Sequence, residues 1–143
     1  STVRRHRRVS HFEVEFASDL GDFILKKLHA DLKTFHNPSS DKTKKIFQDY
    51  LGFDVTEGWR WSNYEPEKVR ATLNQWIKKR GDAAHRSKPI NSGIPSAHLI
   101  KRDELEKVIR FIKDLVRATD NYVNDKIEQH HASVFERQHL LSS

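Results

Sequence analysis

The sequence contains no cysteine and no methionine among its 143 residues. The absence of cysteine excludes a disulfide scaffold, a thiol nucleophile and a thiolate metal site. The absence of methionine, an initiator included, indicates a trimmed chain, a fragment of a longer protein, or missing positions. Any catalytic or binding site must therefore be built from the remaining polar side chains.

Residues that break helices are also scarce, since the chain has only five glycines and four prolines. This scarcity favours long helices over the many turns of a sandwich or a barrel. No stretch approaches the roughly 20 apolar residues of a membrane span. The basic cluster RRHRR near the N-terminus is followed by Glu13 and Glu15 rather than by the apolar core of a signal peptide. We therefore expect a cytoplasmic protein that does not enter a membrane.

Positive charge is in excess, with 26 Lys and Arg against 20 Asp and Glu and a formal net charge of +6. Such an excess favours contact with polyphosphates through counterion release, although many basic proteins have no nucleic-acid role. The hydrophobic content of 36% is enough for one core. We predict a basic N-terminal arm over residues 1–9, one helical domain over residues 10–127 and a C-terminal extension over residues 128–143.

Apolar residues recur at helical spacing in four stretches of the chain. The first two helices are predicted over residues 11–35 and 42–51, the third from Pro66, and the fourth from Lys101 or Arg102 to about Ile127. The pattern shows no sustained strand and no internal repeat. It predicts an all-α fold, an up-and-down helical bundle of four core helices. Residues 128–143 are either a fraying extension, a short fifth helix or a tail.

The connections between these helices have recognisable turn chemistry. Residues 36–41 read HNPSSD, a loop that can cap the second helix, and Gly52 is suited to end that helix. Residues 53–64 have no helical pattern but contain Trp59 and Trp61, which either pack in the core or form a platform for stacking bases. Residues 87–96, with two prolines and a glycine, form the clearest loop.

Arg80 is the residue that core packing explains least well. On an ideal helix it points within roughly 40° of Val69, Leu73 and Trp76, so a guanidinium continues an apolar stripe. It must reach solvent at the helix end, pair with an acidic group, or line a polar cleft. His85 lies about 140° away on the same helix, so the two side chains share a face only if the helix ends or bends between them. Gly81 offers such a break.

Arginine and histidine together are suited to breaking RNA without a metal or other cofactor. Histidine as a residue type titrates near neutral pH, so His85 could accept the proton of a 2′-hydroxyl or protonate the leaving 5′-oxygen. Arg80 stays charged and can bind the phosphate as negative charge builds on it. Asp82, three residues before His85, can orient the imidazole.

Basic residues around the Arg80–His85 pair form a candidate RNA-binding patch. Its further members are Lys78, Lys79 and Arg86. Adjacent His130 and His131 point to different faces of a helix and have no evident third ligand, so we predict no metal site there.

The segment Arg80 to His85, with the sequence RGDAAH, resembles the signature of the HEPN superfamily. That signature is an arginine followed after four to six residues by a histidine, near the end of the third helix of a bundle. The order of elements is also similar, with a helix leading into the motif, a Pro/Gly loop and a long closing helix. The resemblance covers about residues 10–127.

This resemblance implies a homodimer in which two Arg/His pairs face one cleft and cleave RNA to a 2′,3′-cyclic phosphate. Arg80 would bind the phosphate, His85 would be the catalytic histidine, and Asp82 would support it. Such domains act as toxins, in antiphage defence or in RNA processing, with an antitoxin or a fused effector domain as possible partner.

Three positions of the motif depart from the HEPN pattern. Gly81 stands where many active members have Asn, Asp or His, and Arg86 stands where glycine is common. Ser87 replaces the tyrosine of the subgroup regulated by nucleotidyltransferases, which argues against that partner. Two alternatives therefore stay open. One is a noncatalytic HEPN module that binds RNA or a protein through its dimer surface, and the other is a purely structural bundle.

Overall fold

The computed structural model describes residues 11–86 and 101–142, and its side chains over residues 13–84 and 101–142. Within these ranges the protein is an all-α helical bundle, as predicted, and the only strand-like pairing is one isolated bridge between Trp61 and Tyr64. The elements are α1 (His11–Lys33), α2 (Ser40–Leu51), a 3-10 helix (Val55–Gly58), α3 (Pro66–Arg86) and α4 (Arg102–Leu140). The basic arm and the loop over residues 87–96 lie outside the described residues.

The chain divides into two compact units, residues 1–36 and residues 37–143. The first unit contains α1, whose 23 residues form one uninterrupted helix, as the spacing of its apolar residues predicts. Gly21 lies in its middle without breaking it, since a single glycine costs a helix only about 1 kcal/mol. Large apolar side chains of this helix, Phe16 and Phe23 among them, are exposed.

Helix α2 ends at Leu51 as predicted, but it begins at Ser40, two residues before the predicted start. Ser39 has an extended backbone and its hydroxyl accepts a hydrogen bond from the Lys42 amide, a standard N-cap arrangement. Gly52 has a left-handed backbone with a φ of 79°, and its amide donates to the Gln48 carbonyl. The last residue of the helix, Leu51, is 47% exposed although it is apolar.

The 3-10 helix lies at the centre of the second unit and contacts α2, α3 and α4. Val55 at the start of this segment and Trp59 directly after it are 0% and 1% exposed, so both belong to the core. The Trp59 indole Nε1 donates to the Thr119 hydroxyl at 3.0 Å. Trp61 packs against Tyr64 and Phe111 at the edge of the same core. Core packing, rather than base stacking, is therefore confirmed for Trp59.

A polar network stabilises the N-terminus of the 3-10 helix. The Asp54 carboxylate accepts hydrogen bonds from the Thr56 amide and hydroxyl and pairs with Lys44 at 3.0 Å. Burial alone would raise the pKa of Asp54, but the hydrogen bonds from Thr56 and the charge of Lys44 outweigh it and hold the pKa below its ordinary value. Arg70 of α3 donates to the same Thr56 hydroxyl, so α3 is tied to this network.

Helix α4 is longer than the sequence pattern predicted. It runs as one helix from Arg102 to Leu140, so residues 128–140 continue it and do not form a separate fifth helix. Its buried residues are Phe111, Leu115 and Ala118. A second apolar stripe on another face of α4 is exposed.

Two glycines allow a matched test of the packing around the 3-10 helix. A Cβ added at Gly58 would overlap the side chain of Tyr122, whereas one added at Gly81 meets no described neighbour within 4 Å. We expect Gly58→Ala to lower the free energy of unfolding by about 1–3 kcal/mol through overpacking. We expect Gly81→Ala to raise it by up to about 1 kcal/mol, because alanine is the better helix former. Urea unfolding of both variants measures the difference, and equal effects would contradict the packing.

Candidate active site

Helix α3 presents the Arg80–His85 segment at its C-terminal end. Pro66 is its first residue, as predicted, and Val69 and Leu73 are buried on the face toward the core. The helix continues through Gly81 to Arg86. The helix thus does not end at the break that Gly81 offers, since the helical cost of one glycine is small beside the burial of the preceding apolar stripe.

Arg80 lies where the apolar stripe of α3 leaves the core. Its side chain is exposed, and its Nη2 donates a hydrogen bond to Asn37 Oδ1 at 3.1 Å. Asn37 belongs to the α1–α2 connection, residues 34–39, which precedes the N-terminus of α2. The guanidinium of Arg80 therefore reaches solvent, as one of the three expectations had it. It also has a polar partner from another element of the fold.

The residue that follows this connection is fixed to α3 by a reciprocal pair of hydrogen bonds. The Ser40 amide donates to Asn74 Oδ1, and Asn74 Nδ2 donates back to the Ser40 hydroxyl, each at 2.9 Å. Ser40 is only 2% exposed, so water does not compete strongly for these bonds. The pair holds the start of α2 beside α3, about 1.7 turns before Arg80.

His85 and Arg86 occupy the last turn of α3, and their side chains lie outside the described residues. On an uninterrupted helix, His85 is displaced from Arg80 by about 140° around the axis and about 7.5 Å along it. Asp82 is exposed and lies three residues before His85, a spacing that places both on one side of the helix. Convergence of the Arg80 and His85 side chains stays a prediction.

The lysines of the predicted basic patch have different surroundings. Lys79 Nζ pairs with Glu104 Oε1 of α4 at 3.2 Å and lies 4.7 Å from the centre of the Trp76 ring. Its charge is thus partly offset, while Lys78 is exposed to solvent. Lys78 is the better placed of the two to meet a phosphate.

The comparison with protein-family models identifies the chain. The model of the RiboL-PSP-HEPN family matches residues 3–125, which include α1, α2, α3 and the first part of α4. The chain belongs to this HEPN family. The resemblance inferred from the sequence is thereby confirmed at the level of the superfamily. Neither the curated proteins nor the solved structures provide a match.

The described residues of this HEPN domain contain neither a candidate metal site nor a candidate membrane span. Among the described residues, no three His, Asp or Glu side chains cluster closely enough to hold a metal ion. His130 and His131 are exposed on α4 with ring centres 6.4 Å apart. No helix in the described ranges is both long enough and apolar enough to cross a membrane.

Asn37 is the site residue that sequence reasoning missed. Its Asn-Pro step was interpreted only as a turn, since asparagine before proline is common in loops. The contact with Arg80 spans 43 residues of sequence. No local sequence pattern predicts such a contact, because only the fold of the HEPN domain brings the two residues together.

Proposed function

We propose that this HEPN domain is a metal-independent endoribonuclease that cleaves RNA through the 2′-hydroxyl and leaves a 2′,3′-cyclic phosphate. Membership of the family supports an RNA-related module. The observation that supports catalysis is Arg80, an exposed guanidinium at the end of α3 that donates a hydrogen bond to the neutral amide of Asn37. His85 follows it on the same helix.

Each residue has a role in this reaction. The 2′-oxygen attacks phosphorus while His85 takes the hydroxyl proton. The bond from phosphorus to the 5′-oxygen breaks, and the protonated imidazole of His85 gives its proton to that oxygen. Arg80 stabilises the additional negative charge on the phosphorane oxygens. Asp82 orients the imidazole. Lys78, Lys79 and Arg86 bind neighbouring phosphates of the RNA strand.

A homodimer completes the site in this proposal, because two divergent side chains on one helix need a second surface to form a cleft. An exposed apolar stripe on α4 supports association with a second copy of the chain. Its residues follow the spacing of one helix face and are Leu105, Ile109, Ile112 and Val116. Such a stripe on each copy can be buried against its symmetry mate.

Val116→Asp tests this interface, because Val116 is 54% exposed and its replacement leaves the core of the monomer intact. We expect the wild type to have the mass of a dimer in light scattering and Val116→Asp to have that of a monomer, since a buried unpaired carboxylate opposes association. Asn124→Asp, an exposed position of the same helix, should remain dimeric. A monomeric wild type at tens of micromolar would contradict the interface.

The biological setting that we propose is cytoplasmic, in a toxin system, in antiphage defence or in RNA processing. A toxin of this type needs an antitoxin that covers the site, and a defence protein can carry the HEPN domain fused to a second effector domain. The basic charge of the chain suits an RNA substrate in each of these settings.

The function is tested by incubating the wild-type protein with end-labelled RNA in excess chelator. We expect cleavage to persist and the upstream fragments to carry a 2′,3′-cyclic phosphate, which acid opens and phosphatase alone does not remove. Cleavage that needs a divalent ion, or products with 3′-hydroxyl and 5′-phosphate ends, would rule out the proposed chemistry.

A noncatalytic HEPN module that binds RNA or a protein partner through its dimer surface is the second candidate. Two observations favour it: Gly81 supplies no side chain beside Arg80, and Lys79 is engaged with Glu104. This function predicts salt-sensitive RNA binding, or a stable protein complex, without turnover. Binding without product in the same assay would select it.

A further inference from the structure

Asn37 is positioned to control the orientation of Arg80. We infer that it is a positioning residue for the ribonuclease reaction, an inference that rests on the proposed function. The Asn37 amide oxygen accepts a hydrogen bond from Arg80 Nη2 at 3.1 Å across two different elements of the fold. Its role is to hold the guanidinium in the orientation that meets the phosphate.

The direction of the Arg80 side chain agrees with this role. Side chains on a helix tilt toward its N-terminus, so the arginine extends back along α3 toward the turn that is fixed to Ser40. The residue next to Arg80 is glycine, which has no side chain to hold the guanidinium from the same helix. Asn37 supplies a restraint from the α1–α2 connection instead.

Asn37 is itself held in place by bonds that do not involve Arg80. Its carbonyl accepts a hydrogen bond from the Ser39 amide at 2.8 Å, and Pro38 between them restricts the backbone. The next residue, Ser40, is bound reciprocally to Asn74 of α3. An arginine bound to such a fixed acceptor has fewer rotamers available, which prepares it for a bidentate phosphate contact.

The acceptor is an amide, and this choice has a chemical consequence. A carboxylate at the same place would form an ion pair with Arg80 and offset the charge that must attract the substrate. An amide oxygen accepts the same hydrogen bond without adding charge. Asn37 thus restrains the Arg80 guanidinium without adding a negative charge beside it.

The test compares Asn37→Ala, Asn37→Asp and the control Asn124→Ala, an exposed asparagine on α4. Two quantities are measured: kcat and KM for cleavage of a short RNA, and the NMR order parameter of the Arg80 Nε–H bond. In Asn37→Ala we expect kcat to fall roughly ten- to hundredfold with KM changed less than threefold, because the guanidinium is misplaced rather than lost. The order parameter should fall as well.

Asn37→Asp separates restraint from charge. We expect it to keep the Arg80 order parameter near that of the wild type and to raise KM several-fold, since the carboxylate repels the phosphate. The control should match the wild type in every quantity.

The outcomes distinguish this inference from the proposed function. An unchanged order parameter in Asn37→Ala, or unchanged kcat with a lowered order parameter, overturns the positioning role. A wild-type protein that cleaves no RNA overturns the nuclease function instead. In that case the order parameter still decides whether Asn37 holds Arg80.

Discussion

His85→Ala is expected to lower the rate of RNA cleavage by roughly 10²–10⁴-fold, the usual contribution of general acid–base catalysis. Alanine cannot accept the proton of the 2′-hydroxyl or protonate the leaving oxygen, and no other histidine lies in the RGDAAH segment of α3. The rate is measured under single-turnover conditions in chelator, where product release does not limit it. RNA affinity should change little, because a neutral imidazole contributes little to phosphate binding.

The control for His85→Ala is His130→Ala, which removes an exposed histidine from α4. This variant should cleave at the rate of the wild type. The pH dependence of the wild type should show an ionisation in the range of histidine that His85→Ala loses. Cleavage at the normal rate by His85→Ala would end the ribonuclease assignment of this residue.

Arg80→Ala is expected to lower the cleavage rate by roughly 10²–10³-fold, as removal of one donor to a developing oxyanion does in other enzymes. The guanidinium is charged at every relevant pH and can offer two parallel N–H groups to a phosphate. Arg80→Lys should recover only part of the rate, since a lysine keeps the charge but not the planar pair of donors.

The control for Arg80→Ala is Arg110→Ala, which removes an exposed positive charge from α4. RNA binding measured at several salt concentrations separates two explanations. If Arg80 acts only as one of many phosphate contacts, Arg80→Ala and Arg110→Ala will weaken binding to a similar degree and leave the rate on bound RNA unchanged. A rate defect confined to Arg80→Ala supports its catalytic role.

Local features of the fold were predictable from the sequence. Ser39, Gly52 and Pro66 mark helix ends through interactions with their own neighbours, so their effect can be recognised without the rest of the structure. The continuation of α4 beyond Ile127 was not predicted, because its apolar positions become sparse there. The sequence does not indicate which face of α4 is buried, because α4 has two apolar stripes and only packing decides that the one with Phe111 faces the core.

In the candidate site, too, the sequence indicates local features but not contacts between distant residues. Arg80 could be found because a charged residue in an apolar stripe needs an explanation. Its partner Asn37 could not, since the contact depends on how the α1–α2 connection meets α3. The glycine after Arg80 suggested a break in the helix, yet α3 continues, because helix ends depend on tertiary packing as well as on local propensity.

The central 3-10 helix has a consequence for how the chain folds. Its Trp59 is bonded to Thr119, a partner 60 residues later in the sequence, so the centre of the second unit cannot form from neighbours alone. Simple helical bundles assemble quickly because most of their contacts are local, whereas closing a long loop first costs entropy. Burial of Trp59 therefore requires this long loop to close, and we expect this unit to fold more slowly than its helical content suggests.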